Sequence, residues 1–210
     1  MSSVQLSYAL PFLYSQLFVK PAYPTMSFAG QTIIVTGSNV GLGFEAAQHI
    51  VRLEADKVIL AVRNLEKGEV ARKSIDASTQ RPGVAEVWHL DMASYESIRE
   101  FVRRAKGLPR LDALLANAGI MTATFRAAER DEETLTVNVV STFLLALLLL
   151  PKLRETAVKF NVLPRLAVVS SEVHFWAAFK EKKADEIFKA LNDKERTDMM
   201  DRYCPIESLN

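Results

Sequence analysis

The chain has 210 residues, a length for one compact domain, and 49% hydrophobic against 24% charged residues, the balance of a globular protein with a buried core. Its 26 Lys and Arg against 25 Asp and Glu leave a formal charge of +1, without the basic excess that nucleic-acid binding calls for. The single cysteine, Cys204, excludes an internal disulfide and a cysteine-based zinc cluster, and it fits a reducing, cytoplasmic compartment. His49, His89 and His174 stand at no metal-ligand spacing, so no metal is expected.

Residues 4–19 carry no formal charge and are rich in Leu, Phe and Tyr. The stretch is too short to span a bilayer as a helix, Pro11 interrupts it, and no Lys or Arg precedes it as in a secretory signal. Two readings remain: a helix packed on the domain, which is the expectation, or a weak interfacial membrane anchor. Pro21 and Pro24 end the segment, so residues 1–27 read as an N-terminal extension and 28–210 as one domain.

From residue 28 on, short apolar runs alternate with helical periodicity. Strands are predicted at 32–35, 58–62, 85–90, 111–116 and 166–169, and helices at 44–53, 65–78, 95–106 and 132–159. Apolar runs of this length are buried on both faces, and strand–helix alternation predicts a parallel sheet covered on both sides. The class is α/β, a doubly wound sheet. The apolar run 144–150 is too short for a membrane span and reads as a helix buried against the sheet or a partner subunit.

Four of the eight glycines, Gly30, Gly37, Gly41 and Gly43, fall close together. The string Thr36-Gly37-Ser38-Asn39-Val40-Gly41-Leu42-Gly43 lies between the first predicted strand and the first helix. Glycine lets the chain turn sharply and removes the Cβ that would block a phosphate, while the helix beyond presents unpaired N–H groups to it.

With its G-x-x-x-G-x-G spacing, this loop resembles that of the short-chain dehydrogenase/reductase family. Further motifs agree in order: Asn117-Ala118-Gly119 after the fourth strand, Asn138 in the following helix, Ser170-Ser171 closing the fifth strand, and Asp91 just past the third. The resemblance covers residues 28–203 and is nearest to fungal members that resemble retinol dehydrogenases. It implies a Rossmann-like fold and a nicotinamide cofactor held by Gly37, Ser38, Asn39, Gly41, Leu42, Gly43, Asp91, Asn117, Ala118 and Gly119. It also implies hydride transfer to or from a small carbonyl or alcohol, with a place in secondary metabolism. After the second strand, 61–64 reads Ala-Val-Arg-Asn, with no acid for the ribose hydroxyls, and Arg63 offers a forked cation to a 2′-phosphate. NADP is therefore expected over NAD.

The resemblance assigns the catalytic Ser to Ser171, with Ser170 as the alternative, the water-holding Asn to Asn138, and the acid/base Tyr to Tyr203. The family's Lys would stand four residues after the Tyr, lowering the phenol pKa from about 10. Here that place holds Glu207, and Pro205 removes a donor from the expected helix start. Likeness to the family is lost over 204–210, the pattern of a truncated gene product lacking the last strands of the fold. Two readings stay open: an NADP-dependent oxidoreductase, and a non-catalytic remnant that at most binds nucleotide or a full-length relative. The oligomeric state is left open.

Overall fold

The computed structural model describes residues 3–171, 179–195 and 199. Five parallel strands, β1 (Thr32–Thr36), β2 (Lys57–Val62), β3 (Ala85–His89), β4 (Ala113–Ala116) and β7 (Arg165–Val168), form one sheet in the order β3-β2-β1-β4-β7. Register is continuous from Ile34 to Ile59 on one side of β1 and to Leu114 on the other. The strands lie within two residues of the stretches their apolar runs predict.

Alternation of side chains divides the core in two. Ile34, Ile59 and Leu114 point to one face, packed against Ile98 and Phe101 of α4 (Tyr95–Lys106) and Leu145 and Leu149 of α6 (Thr142–Phe160). Ile33, Val35, Val58 and Leu60 point to the other, against Ala47 and Ile50 of α2 (Gly41–Arg52) and Ile75 of α3 (Leu65–Thr79). The sheet runs from β1 to β2 and β3 in one direction and through β4 to β7 in the other. The reversal between β1 and β4 is the switch point at whose C-terminal edge ligands bind in such sheets.

A short hairpin, β5 (Ala127–Ala128) with β6 (Asp131–Glu132), leads into the single-turn α5 (Glu133–Leu135). A π turn, Thr136–Ser141, then joins α5 to α6. The continuous helical stretch Glu133–Phe160 is long and apolar enough to cross a membrane, but 61% of its apolar window is buried inside the domain. It is a core helix, as the sequence suggests for 144–150. Farther on, α7 (Ile187–Leu191) seats Leu191 against Leu135 and Val139.

The first helix departs from expectation. α1 (Ser3–Phe18) runs straight through Pro11, and it does not lay its described side chains on the domain. Leu10, Leu13, Tyr14, Leu17 and Phe18 are all more than half exposed. The expected packing is therefore not what these described side chains show.

Candidate nucleotide-binding site

The turn after β1 is closed from within. Gly37 takes φ +64°, and its N–H extends the ladder by donating to the Ala61 carbonyl at 2.9 Å. The Ser38 hydroxyl, buried, donates back to the Val35 carbonyl at 2.9 Å, so this candidate braces the turn. Gly43 is buried on the first turn of α2, where a Cβ would meet the Gly37 carbonyl oxygen at 2.5 Å and the Asn117 amide. That glycine lets helix, turn and the 117–119 loop close on one another. A Cβ at Gly41 would meet nothing within 4 Å, and Gly41 and Leu42 are exposed at the open end of α2.

Capping marks this helix end as different. Asn64 caps α3 by accepting from the Lys67 N–H at 2.9 Å, and Ser94 caps α4 by accepting from the Ser97 N–H at 3.3 Å. Val40, which precedes α2, has no side-chain acceptor to offer, so the first N–H groups of that helix are left to whatever occupies the cleft.

Thr36 ties the second loop to the first. Its buried hydroxyl accepts from the N–H groups of Asn117 and Ala118, both at 2.9 Å, while the Asn117 side-chain amide donates to the Thr36 carbonyl at 3.1 Å. Farther along the loop, Ile120 is held from both sides by Asn138. Its N–H donates to Asn138 Oδ1 at 2.9 Å, and Asn138 Nδ2 donates to its carbonyl at 3.0 Å. Asn138 lies in the π turn, a backbone irregularity often found at functional sites. Thr142 accommodates the wider turn by donating its hydroxyl to the Val137 carbonyl at 3.0 Å.

Between these loops opens a cleft of about 340 Å³. It brings together Gly37, Asn39, Arg63, Asp91, Asn117, Ala118 and Gly119, seven of the residues singled out in the sequence. Arg63 is exposed and makes no ion pair with any described residue. Asp91 is half-buried: its Oδ1 accepts from the Ala93 N–H at 2.9 Å, fixing the turn after β3. The cleft is completed by residues that the motifs did not single out, among them Val40, Val62, Met92, Ile120, Glu133 and Val137. Val62 and Met92 follow from their places at strand ends. Glu133 and Val137, one helical turn apart, come from a helix far along the chain and carried no motif.

Ser170 and Ser171 follow β7 at the same C-terminal edge of the sheet, Ser170 exposed and Ser171 half-buried, and neither lines the cleft. Tyr203 and Glu207 lie outside the described residues. Among the described tyrosines, Tyr95 has its phenol pushed above the ordinary value, by burial first and then by Asp131 and Glu129, the opposite of what a base at neutral pH needs. No group of three or more potential metal ligands occurs among the described residues.

The fold is a Rossmann-like α/β domain with a cleft at its switch point. The family model for short chain dehydrogenases matches residues 31–159, and the chain belongs to that family. It is 49% identical over 201 residues to the short-chain dehydrogenase anuD of Penicillium roqueforti, covering 96% of this chain and 52% of that one. To the short chain dehydrogenase atnD of Emericella nidulans it is 48% identical, covering 97% of this chain and 65% of the other. The chain thus spans between about half and two thirds of the length of these curated relatives. An Escherichia coli short chain dehydrogenase solved with NADPH superimposes at TM-score 0.62 and 27% identity, over 89% of this chain and 70% of that one.

The family binds a nicotinamide cofactor, and these residues fit one. The uncapped start of α2 and the open space over Gly41 suit a diphosphate.

Proposed function

We propose that this chain is the nucleotide-binding part of an NADP(H)-dependent oxidoreductase acting on a small carbonyl or alcohol. The observation that carries the choice of cofactor is Arg63. It directly follows β2, lines the cleft, is exposed, and stands in a stretch without the acid that would accept ribose hydroxyls. A guanidinium there presents a fork of donors to a 2′-phosphate. The similarity to a structure solved with NADPH supports the same reading.

The bound cofactor supplies the hydride donor or acceptor. The chain's own residues hold and orient it: the α2 terminus and Gly41 at the diphosphate, Arg63 at the ribose, and Asp91 with the 117–119 loop around the adenine side. Asn138 fixes that loop through Ile120. In the proposed chemistry Ser171, with Ser170 as its neighbour, polarises the substrate oxygen, and Tyr203 exchanges the proton.

A second reading rests on a specific residue. Glu207 stands four residues after Tyr203, where the family's pattern has a Lys, so the charge at that sequence position is reversed. On this reading the 210-residue polypeptide binds NADPH and turns over little. Equilibrium binding of NADPH, followed by assays with a panel of carbonyl substrates, tests both. Saturable binding with little turnover is expected. Absence of NADPH binding overturns the nucleotide reading, and turnover of about 1 per second or more overturns the second.

A further inference from the structure

One wall of the cleft carries a carboxylate that the fold itself does not use. Residues 129–133 hold four acids, and three of them are engaged within the chain. Glu129 accepts from the Tyr95 N–H at 2.8 Å, and Asp131 accepts from the side-chain amide of Asn192. Glu132, fully buried, accepts from the N–H groups of Thr134 and Leu135 at 3.0 and 3.2 Å and so caps α5. Glu133 is the fourth. It is half-buried and lines the cleft, and its carboxylate has no hydrogen bond or ion pair with any described residue.

The backbone that presents Glu133 is pinned on both sides. The Glu133 N–H donates to the Arg126 carbonyl at 2.8 Å, and the Glu132 N–H donates to Asn192 Oδ1 at 2.6 Å. The bond from Tyr95 to Glu129 fastens the hairpin to the start of α4, directly after the loop 91–94 that follows β3. Glu133 therefore stands at the β3 end of the cleft, which it shares with Asp91. Oδ1 of Asp91 is taken by the Ala93 N–H, and its Oδ2 has no described partner. Two carboxylates with free acceptor oxygens thus meet at one end of the cleft.

Ionised carboxylates only accept, so this end of the cleft repels phosphate and suits a neutral group with more than one N–H hydrogen. In a dinucleotide laid with its diphosphate at α2 and its ribose at Arg63, the adenine reaches the β3 end. Its exocyclic amine carries two diverging N–H hydrogens, one for each carboxylate. We propose that Glu133 reads the base: together with Asp91 it accepts from the adenine amine and selects adenine over hypoxanthine. This rests on the dinucleotide reading of the cleft given above. In hypoxanthine a carbonyl oxygen replaces the amine and would face both carboxylates, acceptor against acceptor. A site that bonds an N–H rejects a ligand lacking it, because its own polar groups are then left unpaired. An acid at a helix start is also favoured by the helix dipole, but that preference affects stability and is blind to the base.

The test is equilibrium titration of NADPH and of its hypoxanthine analogue into the full chain and into Glu133→Gln. The expected result is a wild-type preference for NADPH of about tenfold or more. In Glu133→Gln that preference falls about threefold or more, because the amide can turn its N–H groups to the carbonyl of the analogue. Should Glu133→Gln fail to fold by far-UV circular dichroism, Glu133→Asp reads the same ratio. It keeps the charge and the helix start, withdraws the acceptor by one methylene, and is expected to lower the preference too. A wild type without preference overturns the proposal, as does a ratio that the substitution leaves unchanged. Equal tightening of both nucleotides in Glu133→Gln overturns it as well, since the carboxylate would then act only by repelling an anionic ligand. All these outcomes leave the dinucleotide reading standing, whereas a wild type that binds neither nucleotide overturns both.

Discussion

Gly37 and Gly41 have nearly the same backbone, φ +64° and +61°, yet they are glycines for different reasons. Both avoid the cost of placing a Cβ in the left-handed region, about 1–2 kcal/mol. Gly37 carries a second constraint, because a Cβ there would lie 2.9 Å from the Ala118 Cα, on backbone that cannot give way. Gly37→Ala is therefore expected to destabilise the chain by about 1–3 kcal/mol more than Gly41→Ala, read from urea midpoints at constant m. Equal losses would show that the close approach of the two loops is not a constraint on the fold. Asn138 makes a similar case beside the loop after β4. Asn138→Ala strands the Ile120 N–H and carbonyl, at a cost of about 1–3 kcal/mol, and Asn138→Asp, which turns an acceptor on the Ile120 carbonyl and buries a carboxylate, is expected to cost at least as much. A thermal melt of the three proteins checks the order.

At the scale of elements, the five strands were legible because each is a short apolar run; β1 and β2 are buried on both faces as expected, whereas β7 is exposed from Arg165 to Ala167 and half-buried only at Val168. Two of the predicted helices are capped by the residue that precedes them, Asn64 and Ser94. What the sequence hid depends on partners distant in the chain. The π turn at Thr136–Ser141 interrupts a stretch whose periodicity reads as plain helix, and the β5–β6 hairpin is too short to carry a pattern. The fate of α1 was equally hidden, since composition makes a helix apolar without saying what covers it. One cross-strand pair yields a pH prediction. The Glu86 carboxyl is held below its ordinary value, chiefly by the hydrogen bond from Lys57 at 2.5 Å, with burial opposing and the Trp88 indole N–H assisting. A depressed folded pKa adds stability above the unfolded carboxylate pKa, about 4.3, and that stability is lost as pH falls through the folded value. Both side chains are about a third exposed, so the effect is small. Glu86→Gln is expected to shrink the loss of urea midpoint between neutral and acid pH, and an unchanged loss would contradict this.

Across the whole molecule, the switch point between β1 and β4 decides where the cleft opens. It gathers the end of β1, the start of α2, the end of β2 and the loop after β4 around one cleft. The places of Gly37, Asn39, Arg63, Asp91 and Asn117 along the cleft were readable because they follow strand ends, where a motif has a fixed place. Ser38 matched the motif yet turned inward, and Glu133 and Val137 reached the cleft only because α5 and the π turn fold back over it. At the far edge β7 has, among the described residues, a neighbour on one side alone, with Leu166 and Val169 partly exposed, 42% and 43%. Unpaired parallel edges of this kind invite further pairing. The cleft itself is formed by strands inside that edge.

The central claim, that this cleft is shaped for NADP(H), is tested most directly by titrating NADPH and NADH into the wild-type chain and into Arg63→Ala. Only NADPH carries the 2′-phosphate that the guanidinium would hold, and a charged hydrogen-bonded contact is worth about 1.5–3 kcal/mol. The expected result is a preference for NADPH in the wild type and an NADPH Kd raised about tenfold or more in Arg63→Ala, with the NADH Kd nearly unchanged. Equal losses for both cofactors, or a wild type that binds NADH more tightly, would contradict it.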